Sequence, residues 1–311
     1  MPLHRIELPG LDAANLLGYM AALGVLRTLR IAEPDADVRM SWTEAPSWWA
    51  PVVHHSSIAT ADDLTSALHE ALTADVNPAW AIADDLNIAP DEFRDHAQNA
   101  VTAARQGRAD ALRALDFLAA FGSDASMAKG PKQIIADTEF RTMSGAGHQH
   151  FLGFMRDLHE STTAEHLFTA LFEAWEYSDE KPSMRWDPND YRPHALRAED
   201  PSTDPIRTVR GANRLAIEAL PLFPTMPRLR NRLHTIAFDS DSSVHCPVWS
   251  DPLEYATVAS LLALMGKERK DDENQRQELR RLQQRGVVQI FRATRFTEGK
   301  YRNFSPSVAL L

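Results

Sequence analysis

Residues 144–151, SGAGHQHF, bring a serine, two glycines and two histidines into one short stretch. Three kinds of behaviour are open to it. A phosphate loop of the Walker type needs a lysine and a hydroxyl directly after its last glycine. Here Gly147 is followed by His148 and Gln149, so that chemistry is excluded. A looser anion site remains open, because backbone N–H groups of a glycine-rich turn at a helix N-terminus attract phosphate unaided. A metal site would draw on His148 and His150, with His159, Glu160 and His166 further along. Hydrolytic metal chemistry wants three ligands, an open position and a supporting carboxylate. No HExxH spacing occurs, and the His54–His55 pair has no third partner nearby. The third behaviour is a turn: glycines relax the backbone, Ser144 caps, and Phe151, Leu152, Phe154, Met155 and Leu158 form the apolar face of a following helix. The residues favour the turn.

Nucleophilic catalysis finds less support. There is no GxSxG, and Cys246 is followed by Pro247 in an apolar run, which fits a buried thiol. The expectation is therefore a non-catalytic protein with no metal and no cofactor. A metal-dependent hydrolase or nuclease using the histidines of 148–166 is the alternative.

The basic residues are more suggestive. Arg276, Arg280, Arg281 and Arg285 fall on neighbouring turns of one predicted helix, and Arg292, Arg295, Lys300 and Arg302 follow on a predicted hairpin. Phe291, Phe296, Tyr301 and Phe304 interleave with them, and Arg228, Arg230 and Arg232 form a second cluster. Guanidinium groups beside aromatics suit a surface that tracks a nucleic-acid backbone. All eleven cations are candidate nucleic-acid contacts. The competing reading is structural: Asp272 and Glu278 can pair with the helix arginines, and aromatics that alternate in a hairpin belong to a core. A basic region that meets an acidic protein, making the chain a protein-only scaffold, is a further alternative.

These residues need elements to hold them. LHRIEL (3–8) alternates as a short strand and stops at Pro9-Gly10; Asp12 can cap the helix of Leu16, Leu17, Met20, Leu23, Val25 and Leu26. Gly18 and Gly24 inside that helix imply close backbone packing. VRMSW (38–42) reads as a strand, and the Trp-rich stretch to Pro51 as a packed loop. Residues 61–121 read as helical, the last segment striped by Leu112, Leu115, Leu118 and Ala119, before a small-residue loop at 123–132. Further helices are expected at about 149–160, 163–177, 212–222, 252–265 and 270–286, with strands at 233–238 and 244–249 and a terminal hairpin. The fold class is α+β, helix-dominated, with short strands near the N-terminus and in the C-terminal half. Residues 178–210 are polar and rich in Pro and Asp, so the expected division is a mainly helical domain at 1–177, a linker or long loop at 178–210, and a basic α+β region at 211–311.

Composition sets the outer limits. The 311 residues are 44% apolar and 24% charged, as in ordinary globular chains. A single cysteine excludes intramolecular disulfides and cysteine-based zinc sites, and fits a reducing cytoplasm. No signal peptide is expected, and the uncharged run from Ala13 to Leu26 is shorter than the roughly 20 residues a bilayer requires. Net charge is −10, yet Lys267 onward holds eleven Lys and Arg against six Asp and Glu. A basic segment follows an acidic body.

LPGLDAANLLGYMAALGVLRTL resembles the opening of type I-G (formerly I-U) CRISPR-associated proteins, in which a short strand and a proline-glycine-like turn precede a "PLxxYLxALGVLR" helix. Leu17, Tyr19, Ala22, Leu23, Gly24, Val25, Leu26 and Arg27 fit that pattern. SGAGHQHFLGFMRDL is similar to a glycine turn entering a helix in the same family, and RGANRLAIEALPLFP with CPVWSDPL is similar to the distal part of its accessory proteins. The resemblance covers about a quarter of the chain, which is shorter than a usual large subunit and closer to an accessory or helicase-extension protein. It implies a cytoplasmic effector-complex component that contacts other CRISPR-associated subunits, with crRNA or target DNA as further partners and no membrane. It carries over no catalytic residues.

Overall fold

The computed structural model describes residues 3–143, 149–190, 207–266, 272–298 and 301–311, the side chains of 272, 274, 275, 298 and 301 excepted. Ser144 to His148 and Lys300 lie outside the described residues, as do 191–206 of the expected linker. The fold is α+β and helix-dominated, with strands at the N-terminus and in the C-terminal half.

The first strand, β1 (His4–Glu7), leads into α1 (Leu16–Ala32), followed by β2 (Val38–Glu44) and β3 (Trp49–His55). Next come α2 (Ala61–Leu72), a 3-10 turn (Pro78–Trp80), α3 (Pro90–Arg105) and α4 (Ala109–Phe121). A hairpin of β4 (Gly122–Met127) and β5 (Ile135–Asp137) precedes α5 (Phe151–Ser161) and α6 (Ala164–Phe172). Then follow α7 (Arg210–Glu218), β6 (Thr225–Arg228), β7 (Arg232–Thr235), β8 (Ser243–Trp249), β9 (Leu253–Glu254) and α8 (Tyr255–Leu262). The chain closes with α9 (Asp272–Gln283), β10 (Val287–Glu298), β11 (Tyr301–Phe304) and β12 (Val308–Ala309). One antiparallel sheet runs β1-β3-β2-β9; a second centres on β10, flanked by β8, β11 and β12; β4–β5 and β6–β7 are separate hairpins.

The organising element is α1, buried continuously from Leu16 to Leu29. Its cap is Asn15, whose Oδ1 accepts from Leu17 and Gly18, and not the expected Asp12, which accepts from Ala14 one turn earlier. Gly24 answers the expectation of close packing. A Cβ there would lie 1.9 Å from the Leu215 carbonyl oxygen, so α7 crosses α1 backbone to backbone. Tyr19 stacks on Trp42 of β2 (5.4 Å between centroids), Trp42 meets Trp249 of β8 edge-on (5.9 Å), and Trp249 Nε1 donates to the Met40 carbonyl. The Tyr19 hydroxyl donates to the Pro247 carbonyl (3.0 Å), so α1 ties both larger sheets together.

Charge is also buried at this crossing. Arg27 of α1 donates to Glu218 of α7 (2.8 Å) and to Asp116 of α4 (2.9 Å). Arg214 donates to the other Glu218 oxygen (3.0 Å) and to the Leu72 carbonyl at the end of α2 (3.1 Å). Phe117 lies under the Arg27 guanidinium and Trp80 under that of Arg214. Burial alone would raise the Glu218 carboxyl, but Arg214, Arg27 and Arg113 hold it below its ordinary value. Paired ions at nearly zero exposure survive only because each neutralises the other.

Several expectations change. The Trp-rich stretch is strand β3, and residues 123–132 include strand β4. The helical segments expected over 61–121 are α2, α3 and α4, but residues 73–89 between the first two hold only the 3-10 turn. On α4 the core-facing residues are Ala111, Ala114, Phe117, Leu118 and Phe121, whereas Leu112 is 58% exposed. The aromatic residues set the face of that helix, because they bury the larger apolar area. Residues 178–190 are not a solvated linker: Met184 and Trp186 are fully buried, with Trp186 Nε1 donating to the Phe140 carbonyl. The expected boundary does not divide the core either. Buried apolar residues from Ile6 to Phe304 form one cluster, and α7 lies against α1 across it.

Two substitutions test this crossing. Glu218→Gln leaves the buried Arg214 guanidinium without its counter-charge and Arg27 with Asp116 alone, and should lower the urea-unfolding free energy by about 3–5 kcal/mol. Removing the exposed Arg108–Asp110 pair should leave the midpoint in place. Gly24→Ala should destabilise the fold in the same assay, because the new methyl collides with the Leu215 carbonyl.

Candidate nucleic-acid interface

The ten candidate cations among the described residues fall into distinct environments. Arg228, Arg230 and Arg232 sit on the β6–β7 hairpin, and all three are exposed. Arg228 pairs across the ribbon with Arg232, so Leu229, Arg230 and Asn231 form the tip. Arg230 and Asn231 have φ of 63° and 56°. Asn tolerates this left-handed region better than most residues, and its side chain secures the turn. Asn231 Oδ1 accepts from the Met127 N–H (2.7 Å), and its Nδ2 donates to the Met127 carbonyl (3.2 Å). The Ser126 hydroxyl donates to the Arg232 carbonyl (3.1 Å). At the base, Thr225 Oγ1 donates to the Ala119 carbonyl and Thr235 Oγ1 accepts from the Glu139 N–H. The two hairpins form one bolted unit.

This pairing adds Lys129 and Lys132, which are exposed on the β4–β5 connection. Sequence distance hid them, since roughly a hundred residues separate the two clusters. Acidic neighbours are few and already engaged. In residues 122–137 and 225–235 the only carboxylates are Asp124 and Asp137. Asp124 is held by Arg94 (2.6 Å), and Asp137 by Arg141. Among the described residues, Lys129, Lys132, Arg228, Arg230 and Arg232 enter no ion pair. Their field is felt locally: burial and then the Arg228 charge push the His234 imidazole below its ordinary pKa. Five unneutralised cations on a net acidic chain make a concentrated positive patch.

The other arginines are dispersed. Arg276, Arg280 and Arg281 lie on the exposed face of α9, where Arg281 approaches Glu278 (3.6 Å), and exposed Arg285 follows the helix. The helix packs through Leu279 and Leu282, and Gly286 (φ 87°) closes it beside Ser250, at the Trp249 end of β8. The β6–β7 arm joins β8 at the opposite, Ser243 end. Glu278, Leu279 and Leu282 of α9 line a groove with Asp239, Ser240 and Asp241, so α9 also reaches the segment that leads into β8.

Arg292 and Arg295 serve the fold. Arg292 pairs with Asp239 (3.0 Å) and Asp241 (3.4 Å). Asp239 is also engaged by His245 Nε2 (3.0 Å) and by the N–H groups of Asp241 and Ser243. Burial opposes ionisation of Asp239, but His245, the Ser243 N–H and Arg292 hold its pKa below the ordinary value. These groups line one wall of a groove of about 370 Å³ between α9 and β10, and they are already satisfied by one another. Arg295 is largely buried, donates to the Arg141 carbonyl (2.9 Å), and has its pKa lowered to about 10 by burial and by Arg302. Arg302 is half-buried on β11.

Two of the interleaved aromatics are core residues, Phe296 is half-buried, and the Tyr301 side chain lies outside the described residues. Phe291 and Phe304 are buried, and Phe304 clusters with Phe140 and Phe238. His54, His55, His159 and His166 are likewise built into the structure. His166 forms a reciprocal cap with Thr163 at the start of α6. His159 packs against Trp80, and burial lowers its pKa. His54 Nε2 meets Ser41 Oγ (2.8 Å) on the β2–β3 face, while buried His55 accepts the Ile58 N–H on Nδ1. Among the described residues, no three His, Cys, Asp or Glu side chains gather to hold a metal. Cys246 is buried, which pushes its thiol pKa well up. No helix among the described residues is long and apolar enough to cross a membrane.

Set against known proteins, the chain matches no family model, no curated protein and no solved structure.

One buried and three half-buried imidazoles give this fold an acid sensitivity. His54, His55, His159 and His234 all have pKa values lowered chiefly by burial. The unfolded chain therefore binds protons that the folded chain resists, beginning near the unfolded value of about 6.5. Stability should be fully present above that pH and fall as pH drops from 7 toward 5. Urea midpoints across this range should decline, and His234→Gln should reduce the decline.

Proposed function

We propose that this protein is a non-catalytic component of a CRISPR-type antiviral system, acting in the cytoplasm through contacts with nucleic acid and with other subunits of an effector complex. The observation that carries the reading is the five-cation surface on the two bolted hairpins, where Lys129, Lys132, Arg228, Arg230 and Arg232 face solvent without a carboxylate partner. Exposed cations held on a rigid support are what phosphate-directed binding requires. The resemblance of the α1 segment and of the α7–β8 region to type I-G proteins supports the choice of system. In this reading the partners are other CRISPR-associated subunits together with crRNA or target DNA. The arginines of α9 form a second surface, available to another phosphate segment or to an acidic subunit.

Binding to labelled DNA and RNA, followed across a salt series, tests the proposal. Arg228→Glu, Arg230→Glu and Arg232→Glu together should abolish binding in moderate salt, and each neutralised phosphate contact should reduce the salt slope by about one. Reversing Arg280, Arg281 and Arg285 should weaken binding less, since they lie outside the two bolted hairpins and Arg281 is already near Glu278. Unchanged binding in the 228/230/232 variant would remove the interface. Co-purification with partner subunits that survives nuclease treatment, with no intrinsic nucleic-acid affinity, would favour the protein-only scaffold.

A further inference from the structure

The tip of the β6–β7 hairpin carries a residue that neither folding nor phosphate binding explains. Leu229 is 91% exposed, the highest value among the large hydrophobic residues described as exposed. Met226 is 45% exposed on the same ribbon, and Pro227 beside it is also open to solvent. Scattered surface leucines are commonplace, but this one stands at a tip with Arg228 before it and Arg230 after it. The tip is also braced. Asn231 grips both backbone groups of Met127, and Ser126 holds the Arg232 carbonyl, so force on the tip passes to β4.

The chemistry of the arm narrows its target. Surfaces for single strands stack bases on aromatic side chains, and residues 225–235 include no Phe, Tyr or Trp. Aliphatic side chains flanked by arginines suit a duplex minor groove, which the cations enter while the apolar group enters a base step and unstacks it. A narrow B-form minor groove concentrates negative potential and attracts arginine. The wide, shallow minor groove of an RNA duplex offers neither the confinement nor the potential.

We infer that the β6–β7 hairpin is a minor-groove arm for duplex DNA, with Leu229 inserted into a base step as a wedge. This deepens the proposed nucleic-acid contact and rests on it. Arg228, Arg230 and Arg232 supply the phosphate and groove contacts; Leu229 supplies the deformation. The preferred steps are those that unstack most easily, the pyrimidine–purine steps TA and CA.

The full-length protein can be titrated into a short DNA duplex carrying 2-aminopurine at a TA step, into the same strand alone, and into an RNA duplex. Unstacking raises 2-aminopurine fluorescence. The expected result is tighter binding to the DNA duplex than to either other probe, accompanied by a fluorescence rise. Leu229→Ala should remove most of that rise while leaving the salt slope unchanged, because no cation is lost. Leu229→Met, which keeps an apolar wedge, should retain it. Tighter binding to the single strand, or an unchanged rise in Leu229→Ala, would overturn the wedge and leave phosphate binding standing. No binding of the wild-type chain to any probe would overturn both the wedge and the nucleic-acid reading. Because the substituted side chain is solvent-exposed, the variants should unfold at the wild-type urea midpoint.

Discussion

Two arginines and a glutamate, all almost completely removed from water, lie where α1 crosses α7, and the placement of four helices depends on them. Arg27 reaches Asp116 of α4 as well as Glu218, and Arg214 reaches the last carbonyl region of α2 through Leu72. A buried charge without a partner is far more costly than a buried apolar group. The network therefore penalises misplaced packing: sliding α7 along α1 would separate Glu218 from Arg27 while Gly24 lost its fit against Leu215. Apolar burial drives these helices together; the ion pairs select one arrangement.

That constraint explains why some features were legible in the sequence and others were not. Regular local patterns survived. The strand before Pro9, the α1 segment, the capped α2, the acid-first α9 and the terminal hairpin all follow from spacing, capping and turn chemistry. Of the expected α4 stripe Leu118 is buried, but Leu112 and Ala119 are exposed and Leu115 is half-buried, because Phe117 and Phe121 bury more area and turn the helix to suit themselves. For the polar segment at 178–210 the sequence left a linker or a long loop open, because proline and aspartate dominate its composition, and at 178–190 two large side chains, Met184 and Trp186, decide its place. A composition average conceals such anchors.

The candidate interface shows the same distinction between type and environment. Arg292 and Arg228 are identical in sequence terms, and each stands in a strand beside other arginines. Arg292 meets Asp239 and Asp241, brought from roughly fifty residues away, and is neutralised. Arg228 meets no carboxylate, since the two on the neighbouring hairpin already serve Arg94 and Arg141. The electrostatic result on a chain of net charge −10 is a local positive surface where acids have been spatially assigned elsewhere. The cluster at 228–232 was visible in the sequence; its isolation from negative charge, and its union with Lys129 and Lys132, were products of tertiary structure.

The burial of α1 also bears on how the chain is made. Its apolar surface leaves the ribosome well ahead of α7, since the glutamate that neutralises Arg27 follows 191 residues later. At synthesis rates of about 5–20 residues per second, that interval is roughly 10–40 s. Throughout it, a largely apolar face meant for α7 and β8, with Arg27 in it, has no native partner and is open to aggregation or to chaperone capture. The helix that organises the finished molecule is thus the segment of the nascent chain in greatest need of protection.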